Sequence, residues 1–328
     1  METTVLSCAD SGRLAVAVEA AGRCLSAGEV VGLPAETVYG LAGDALNPAA
    51  AARIFEAKER PFFDPLICHL PDLEWLERLT VIPPSVRLLV EALAAAFWPG
   101  PLTMILPRST LVPDLVCSGL STVAVRLSAH PVFSAVARHF GRPLAAPSAN
   151  RFGRISPTAA AHVFTELAGR IPLILDAGPT MHGLESTIVA PEASGLRLLR
   201  LGPITREQLE VFATVQLGEA PTGRPEAPGQ LKSHYAPEKR LTLLTVGEPV
   251  PCALETAGLL AWREGRPGFG AVEVLSGSGD LREAAANVFA ALRRLDEGPW
   301  TELYAELLPQ EGLGAAINER LSRAAARE

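Results

Sequence analysis

Lysine is nearly missing from this chain. It occurs at Lys58, Lys232 and Lys239, and arginine supplies almost all of the positive charge. The formal net charge is −7 at pH 7, which excludes a protein that holds nucleic acid by general electrostatics. The cysteines (Cys8, Cys24, Cys68, Cys117 and Cys252) are odd in number, scattered, and include no C-x-x-C pair. They read as buried, reduced thiols, neither a disulfide framework nor a zinc site. No apolar run is long enough to cross a bilayer, and the acidic Glu2 and Asp10 leave no signal-peptide pattern near the start. A soluble, cytoplasmic protein with no membrane partner is expected. The common chemical signatures are missing as well. There is no G-x-x-x-x-G-K-[ST], no strand–G-x-G-x-x-G–helix unit, no H-E-x-x-H and no G-x-S-x-G. That excludes a P-loop, a Rossmann dinucleotide site, a zincin and a nucleophile-elbow hydrolase. No protein metal ligands are assigned.

What is present is a chain of 328 residues, 48% of them hydrophobic, enough for a sizeable core and two domains. Strands and helices alternate throughout, which predicts an α/β fold. Asp10 or Ser11 caps a first helix ending near Gly28, and Glu29–Leu33 is a strand. Ser85 is expected to cap a longer helix that ends at Trp98-Pro99-Gly100-Pro101, before the strand Leu102–Leu106. Thr122–Leu127 reads as a strand, Pro131–Phe140 as a helix stopped by Gly141, and Pro143–Pro147 as a brief strand. Ser156-Pro157 reads as the N-cap and first position of another helix, and Thr205-x-x-Gln208 as a capping box. Pro172–Asp176, Ser186–Ala190 and Leu196–Leu201 follow as strands. From 214 to 240 proline and glycine recur (Pro221, Gly223, Pro225, Pro228, Gly229, Pro237) and periodicity stops, which marks a linker between domains at 1–213 and 241–328. The second domain is predicted from strands at Leu241–Val246, Ala257–Trp262 and Val272–Leu275 and helices from Asp280 and near Leu313.

The polar residues of interest fall at element ends. In Gly32–Leu70, Thr37 and Tyr39 follow a strand, Asn47-Pro48 opens a helix, and Lys58 and Arg60 stand two apart where that helix meets Pro61. Two cations at a rigid exit suit a polyphosphate or carboxylate, although a helix C-terminus attracts cations anyway. His69 alone reads as a core histidine, Thr122 and Ser186 as ordinary strand starts, and Ser156 as a cap whose helix N-terminus is also a ready anion site. Arg126 and Arg200, inside apolar strands, each need a partner or a cleft.

The order P-x-E-T-V-Y-G-L, K-x-R-P, P-L-I-x-H, W-P-G-P-L-T, T-V-A-V-R, P-S-A-N, E-S-T-I-V and L-R-x-G resembles the YrdC-like threonylcarbamoyl-adenylate synthases. The linker P-G-x-x-x-x-H-Y-A-P and the late G-L-G-A-A-I-N-E-R-L resemble the family's longer, two-domain form. The resemblance implies an open twisted α/β sheet with a large concave active-site face, plus a smaller Rossmann-like α/β C-terminal domain. It implies condensation of L-threonine, bicarbonate and ATP to threonylcarbamoyl-AMP and pyrophosphate. The product goes to a tRNA threonylcarbamoyl-transfer complex, Mg²⁺ rides on the ATP phosphates, and no stable tRNA binding is expected. By motif, Thr37, His69, Arg126, Ala146 (through its backbone) and Ser186 surround threonine. Arg60, Asp64, Thr122, Ser148, Ser156, Arg200, His234 and Tyr235 surround ATP, with the last two as a lid. Lys58, Arg60, Ser148 and Asn150 form the catalytic set. Ala35 stands where threonine is usual, and Asp64 where asparagine is usual. The competing readings are a related reaction on a different amino acid or small molecule, and a non-enzymatic RNA-binding module.

Overall fold

The structure is a computed structural model and describes residues 1–218, 224–245, 248 and 254–326. Pro221, Gly223, Val246 and Cys252, which the sequence placed in the linker, a strand and the free thiols, lie outside the described residues. The larger region runs β1 (Thr4–Ser7), α1 (Ser11–Ser26), β2 (Val31–Leu33), β3 (Gly40–Asp44), α2 (Pro48–Lys58), β4 (Ile67–His69), α3 (Glu74–Leu79) and α4 (Arg87–Phe97). It continues through β5 (Leu102–Pro107), β6 (Thr122–Arg126), α5 (Pro131–Phe140), β7 (Leu144–Ala145), α6 (Ala160–Leu167), β8 (Leu173–Asp176), β9 (Thr187–Glu192), β10 (Gly195–Arg200), α7 (Arg206–Glu210) and β11 (Val215–Leu217). Among the described residues these eleven strands form one open twisted sheet in the order β1-β8-β2-β3-β7-β4-β6-β5-β9-β10-β11. Parallel and antiparallel neighbours are mixed, as β4 against β6 and β4 against β7 illustrate. β11 pairs with β10, so regular structure of this sheet continues beyond residue 213.

Local chemistry accounts for the best-predicted elements. Asp10 accepts the Arg13 N–H at 2.9 Å and caps α1. Asn47 caps α2 with Pro48 in the first turn, and α2 ends on Glu59 in the left-handed region (φ 54°). Gly141 ends α5 at φ 72°, and the Thr205/Gln208 capping box is fully formed. Two expected caps are absent. Ser85 does not cap α4, where Val86 holds the N-cap position without a side-chain bond. Ser156 caps nothing: α6 begins at Ala160, and the Ser156 hydroxyl donates to Glu185 instead. The helix-terminal anion site expected at Ser156 is therefore not formed there.

The smaller region comprises β12 (Arg240–Leu244), β13 (Leu254–Ala261), β14 (Phe269–Val274), α8 (Leu281–Glu297), β15 (Glu302–Glu306) and α9 (Gly312–Ala325). Its strands lie in the order β12-β15-β13-β14, all parallel. Its core is shared with the larger region. Val38, Ile155 and Leu184, and Tyr235 from the linker, pack with Leu260, Phe289 and Ile317. Among the described residues no helix is long and apolar enough to cross a membrane.

Gly183 marks how tightly the two regions meet. Its φ is +68°, and a Cβ there lies 2.2 Å from the Ala285 carbonyl oxygen on α8. Gly183→Ala is expected to destabilise the protein by more than about 1 kcal/mol, read as a lower urea midpoint. An unchanged midpoint would contradict this contact.

Candidate active site

Strand register builds the site. β4 pairs with β6 so that His69 stands beside Arg126, and with β7 so that His69 also stands beside Leu144. The chain leaving β7 crosses the same sheet end, where Ser148 bridges Gly40 and the Ala149 N–H bonds Tyr39 O at 2.8 Å. Neighbouring strand ends thus present their side chains into one cleft.

The cleft is lined by Ala35, Thr37, Arg60, His69, Arg126, Ala146, Ser148, Glu185, Ser186 and Arg200, with Pro228, Gly229, His234 and Tyr235 of the linker lying across it. Lys58, Asp64, Thr122, Asn150 and Ser156 are not among the lining residues. Lys58 is buried behind the wall, where its Nζ donates to Ser148 O at 2.6 Å and Asn150 O at 2.5 Å. Asn150 ties the same loop through Arg151 O and Arg154 O. Thr122 sits at the other end of β6 from Arg126. The Ala146 N–H is committed to Ile67 O at 3.0 Å, so its backbone can offer a ligand only its carbonyl.

Each arginine has a distinct set of partners. Arg126 donates from Nε to Gly100 O at 3.1 Å and from Nη1 to Thr37 Oγ1 at 3.0 Å. Its Nη2 lies 2.6 Å from Glu36 Oε1 as an ion pair, although the angle is not that of a hydrogen bond. Every terminal guanidinium nitrogen carries two N–H groups, so one on each of Nη1 and Nη2 remains for a carboxylate. Glu36 also accepts from Ser128 Oγ and the Ala129 N–H. Burial alone raises its pKa, but Arg126 and these bonds outweigh burial and hold it at about 2.

Arg60 donates to Asp64 O at 3.1 Å and Pro65 O at 2.8 Å, and its Nη2 lies 2.9 Å from Asp64 Oδ2, again without hydrogen-bond alignment. The carboxylate that replaces the usual asparagine has therefore turned to meet Arg60, while burial keeps its pKa raised. Arg200 differs. Its bonds go to Ser186 O at 3.0 Å, Ser186 Oγ at 3.0 Å and Pro228 O at 3.2 Å, all neutral acceptors. Burial lowers the pKa of Arg200, and lowers that of Lys58 well below the usual lysine value.

Several buried polar atoms lack a partner in the protein among the described residues: His69 Nδ1, Asn150 Oδ1 and His234 Nδ1. Buried polar groups are normally paired, so unpaired atoms in and around a cleft mark where a ligand belongs. Tyr235 closes the cleft from above with φ +62°, an uncommon backbone state for an aromatic residue. It contacts His234 at 4.1 Å and stacks on Phe289 at 5.6 Å between ring centroids. Gly229 permits this, because a Cβ there lies 2.6 Å from the Tyr235 hydroxyl. The cavity left is about 50 Å³. Small-molecule pockets run to roughly 300–1,000 Å³, so the linker leaves the cleft tight.

Glu36 and Glu185 were not singled out from sequence. Both lie inside quoted motifs, and the available signal was that buried arginines require acids.

Fold and site together define a two-domain α/β protein with an arginine-lined cleft and a linker across it. A family profile described as "Telomere recombination" (Sua5, YciO and YrdC) matches residues 23–202, and one described as "Threonylcarbamoyl-AMP synthase, C-terminal domain" matches residues 204–326. The threonylcarbamoyl-AMP synthase of Pyrococcus abyssi is 38% identical over 310 residues, 90% of each chain. That of Bacillus subtilis is 38% identical over 322 residues, 93% of this chain and 92% of its own. The crystal structure of P. abyssi Sua5 complexed with L-threonine superposes with a TM-score of 0.89 at 34% identity, covering 98% of both chains. The chain belongs to the threonylcarbamoyl-AMP synthase family.

Burial, and then Arg126, hold the His69 imidazole at about 3, below its usual 6.5. Between these values the unfolded chain binds the proton that the folded one refuses. Stability is therefore full above the unfolded pKa and falls as pH drops, by up to about 1.4 kcal/mol per pH unit for this group. His69→Gln is expected to flatten the loss of Tm between about pH 6 and 4.5. An unchanged slope would mean that His69 is protonated in the folded protein. His130, His162, His182 and His234 are shifted the same way, so part of the slope persists.

Proposed function

We propose that this chain condenses L-threonine, bicarbonate and ATP to threonylcarbamoyl-AMP, releasing pyrophosphate, and passes the product to a tRNA threonylcarbamoyl-transfer complex. The observation that carries this reading is Arg200, a buried guanidinium in the cleft wall whose direct bonds go only to neutral oxygens. Buried charge is costly until an anion arrives, and a nucleotide phosphate supplies one. Arg126 and Thr37 take the threonine end of the cleft, with His69, Ala146 and Ser186 beside them. Arg60, Ser148 and Arg200 take the phosphates, with Asp64, Thr122 and Ser156 supporting the wall and His234 and Tyr235 closing over the nucleotide. The Ser186 hydroxyl is held between Thr103 Oγ1 at 2.8 Å and Arg200 Nη2 at 3.0 Å.

The threonine amine and bicarbonate condense to a carbamate with loss of water, and a carbamate oxygen attacks the α-phosphorus as pyrophosphate leaves. Both reactants are anions, so the protein's contribution is charge neutralisation and alignment by Arg60 and Arg200, with Lys58 holding the Ser148–Asn150 loop from behind. Mg²⁺ enters on the ATP phosphates. The carboxylates nearest the phosphate end, Asp64 and Glu185, are already paired with Arg60 and Arg320. The closed linker excludes water from a hydrolysable product.

The test is pyrophosphate release from ATP with Mg²⁺ and bicarbonate, adding each amino acid in turn. Release that depends on L-threonine is expected. Release with another amino acid would move specificity elsewhere, for which Ala35 in the cavity wall is the place to look. Folded protein that releases nothing but binds tRNA would replace the enzyme reading with the RNA-binding one. Arg126→Lys loses the two-pronged fork and is expected to weaken threonine binding by about tenfold or more. Equal affinity would remove Arg126 from the threonine site. Tyr235→Ala is expected to preserve threonine affinity and weaken ATP affinity, both read by calorimetry; unchanged ATP affinity would remove the lid.

A further inference from the structure

The C-terminal helix α9 reaches both the wall of the cleft and the linker that covers it. Arg320 is fully buried, and its Nε donates to Glu185 Oε2 at 2.8 Å. The other oxygen of the same carboxylate accepts the Ser156 hydroxyl. One cleft-lining carboxylate thus ties a C-terminal guanidinium to a residue assigned to the nucleotide. The same guanidinium lies 5.2 Å from the centroid of the Tyr235 ring, within cation–π range. It is held there by Leu201 O at 2.8 Å and Glu319 Oε2 at 3.0 Å. One turn later Arg323 donates to Leu231 O at 2.5 Å, and its own carbonyl accepts the His234 N–H at 3.2 Å.

We propose that Arg320 is a positioning residue of the nucleotide site, fixing Ser156 through Glu185 and the lid through Tyr235, so that the C-terminal domain sets the affinity for ATP. This rests on the reading of the cleft given above. An ion pair that only joined two domains would have no reason to stand between a cleft carboxylate and the ring that covers the cleft. Arg320 touches no reacting atom; it acts through Glu185 and Tyr235. Arginine is required because one side chain must meet a carboxylate, a carbonyl and an aromatic ring together, which a lysine ammonium cannot do.

The experiment measures ATP and threonine affinities by calorimetry, with folding checked by Tm, for the full-length wild type, Arg320→Met and Arg320→Lys. ATP affinity is expected to fall at least tenfold in Arg320→Met with threonine affinity within twofold, and to recover partly in Arg320→Lys. In a background carrying His234→Ala and Tyr235→Ala, Arg320→Met is expected to weaken ATP binding by a smaller factor, because the lid arm is already lost. Unchanged ATP affinity in folded Arg320→Met overturns the proposal, and so does an equal loss of ATP and threonine affinity, which signals general damage. If Arg320→Met does not fold, Arg323→Met, whose side chain is 21% exposed, decides the matter. A threefold or greater loss of ATP affinity upholds the coupling, and no loss overturns it. Wild-type protein that binds neither ATP nor threonine would sink the functional reading itself, which separates the two failures.

Discussion

Buried guanidinium groups and what neutralises them organise this molecule. Arg126 is met by Glu36, Arg60 by Asp64, Arg293 by Glu166 and Arg320 by Glu185. Removing one member of such a pair strands a charge, so each acid is held as tightly as its base. Arg200 and Lys58 break the pattern, with neutral oxygens in place of carboxylates. The paired arginines are the frame, and the unpaired cations are where an incoming anion is worth most. A guanidinium stays charged under burial that drives an ammonium toward neutrality, and it can satisfy several acceptors at once.

The same frame explains why the second domain is inseparable from the site. Tyr235 belongs at once to the covering of the cleft and to the core that holds Phe289 and Leu260. Its left-handed backbone costs on the order of 1–3 kcal/mol, and such states persist only where the surroundings over-determine them. The surroundings here are α8, α9 and Gly229. The linker is therefore held in place by a domain that contributes few groups to the cleft itself.

Much of this was legible in the chain. Asn47-Pro48, the Pro131–Phe140 helix with Gly141, and the Thr205/Gln208 box were fixed by local chemistry that acts within one turn. The motifs located the cleft because their polar residues fall at strand ends. What escaped was of two kinds. β3 is Gly40-Leu41-Ala42-Gly43-Asp44, too poor in β-formers to read as a strand, and it forms because β2 and β7 flank it. β15, with glutamates at both ends, is an inner strand of its four-stranded sheet for the same tertiary reason. The other kind is long-range pairing. Glu36 meets Arg126 and Glu185 meets Arg320 across stretches of sequence that carry no periodic signal, and Ser156 was misread as a cap because its true partner is 29 residues away.

The pairing also separates two demands that an adenylate-forming site places on one cleft. A carboxylate ligand is best met by a fork fixed in advance, and the Arg126 guanidinium is fixed, anchored by Gly100 O, Thr37 and Glu36 on strands and turns of the large sheet. The other end of the cleft is covered by the linker, which leaves about 50 Å³ beneath it. Arg200 joins the two, with two bonds to Ser186 on the sheet side and one to Pro228 O of the linker, while the His234 N–H ties the linker to Arg323 O. Arg126 thus finds its oxygens wholly on the large sheet and its turns, whereas Arg200 shares its bonds between that sheet and the linker.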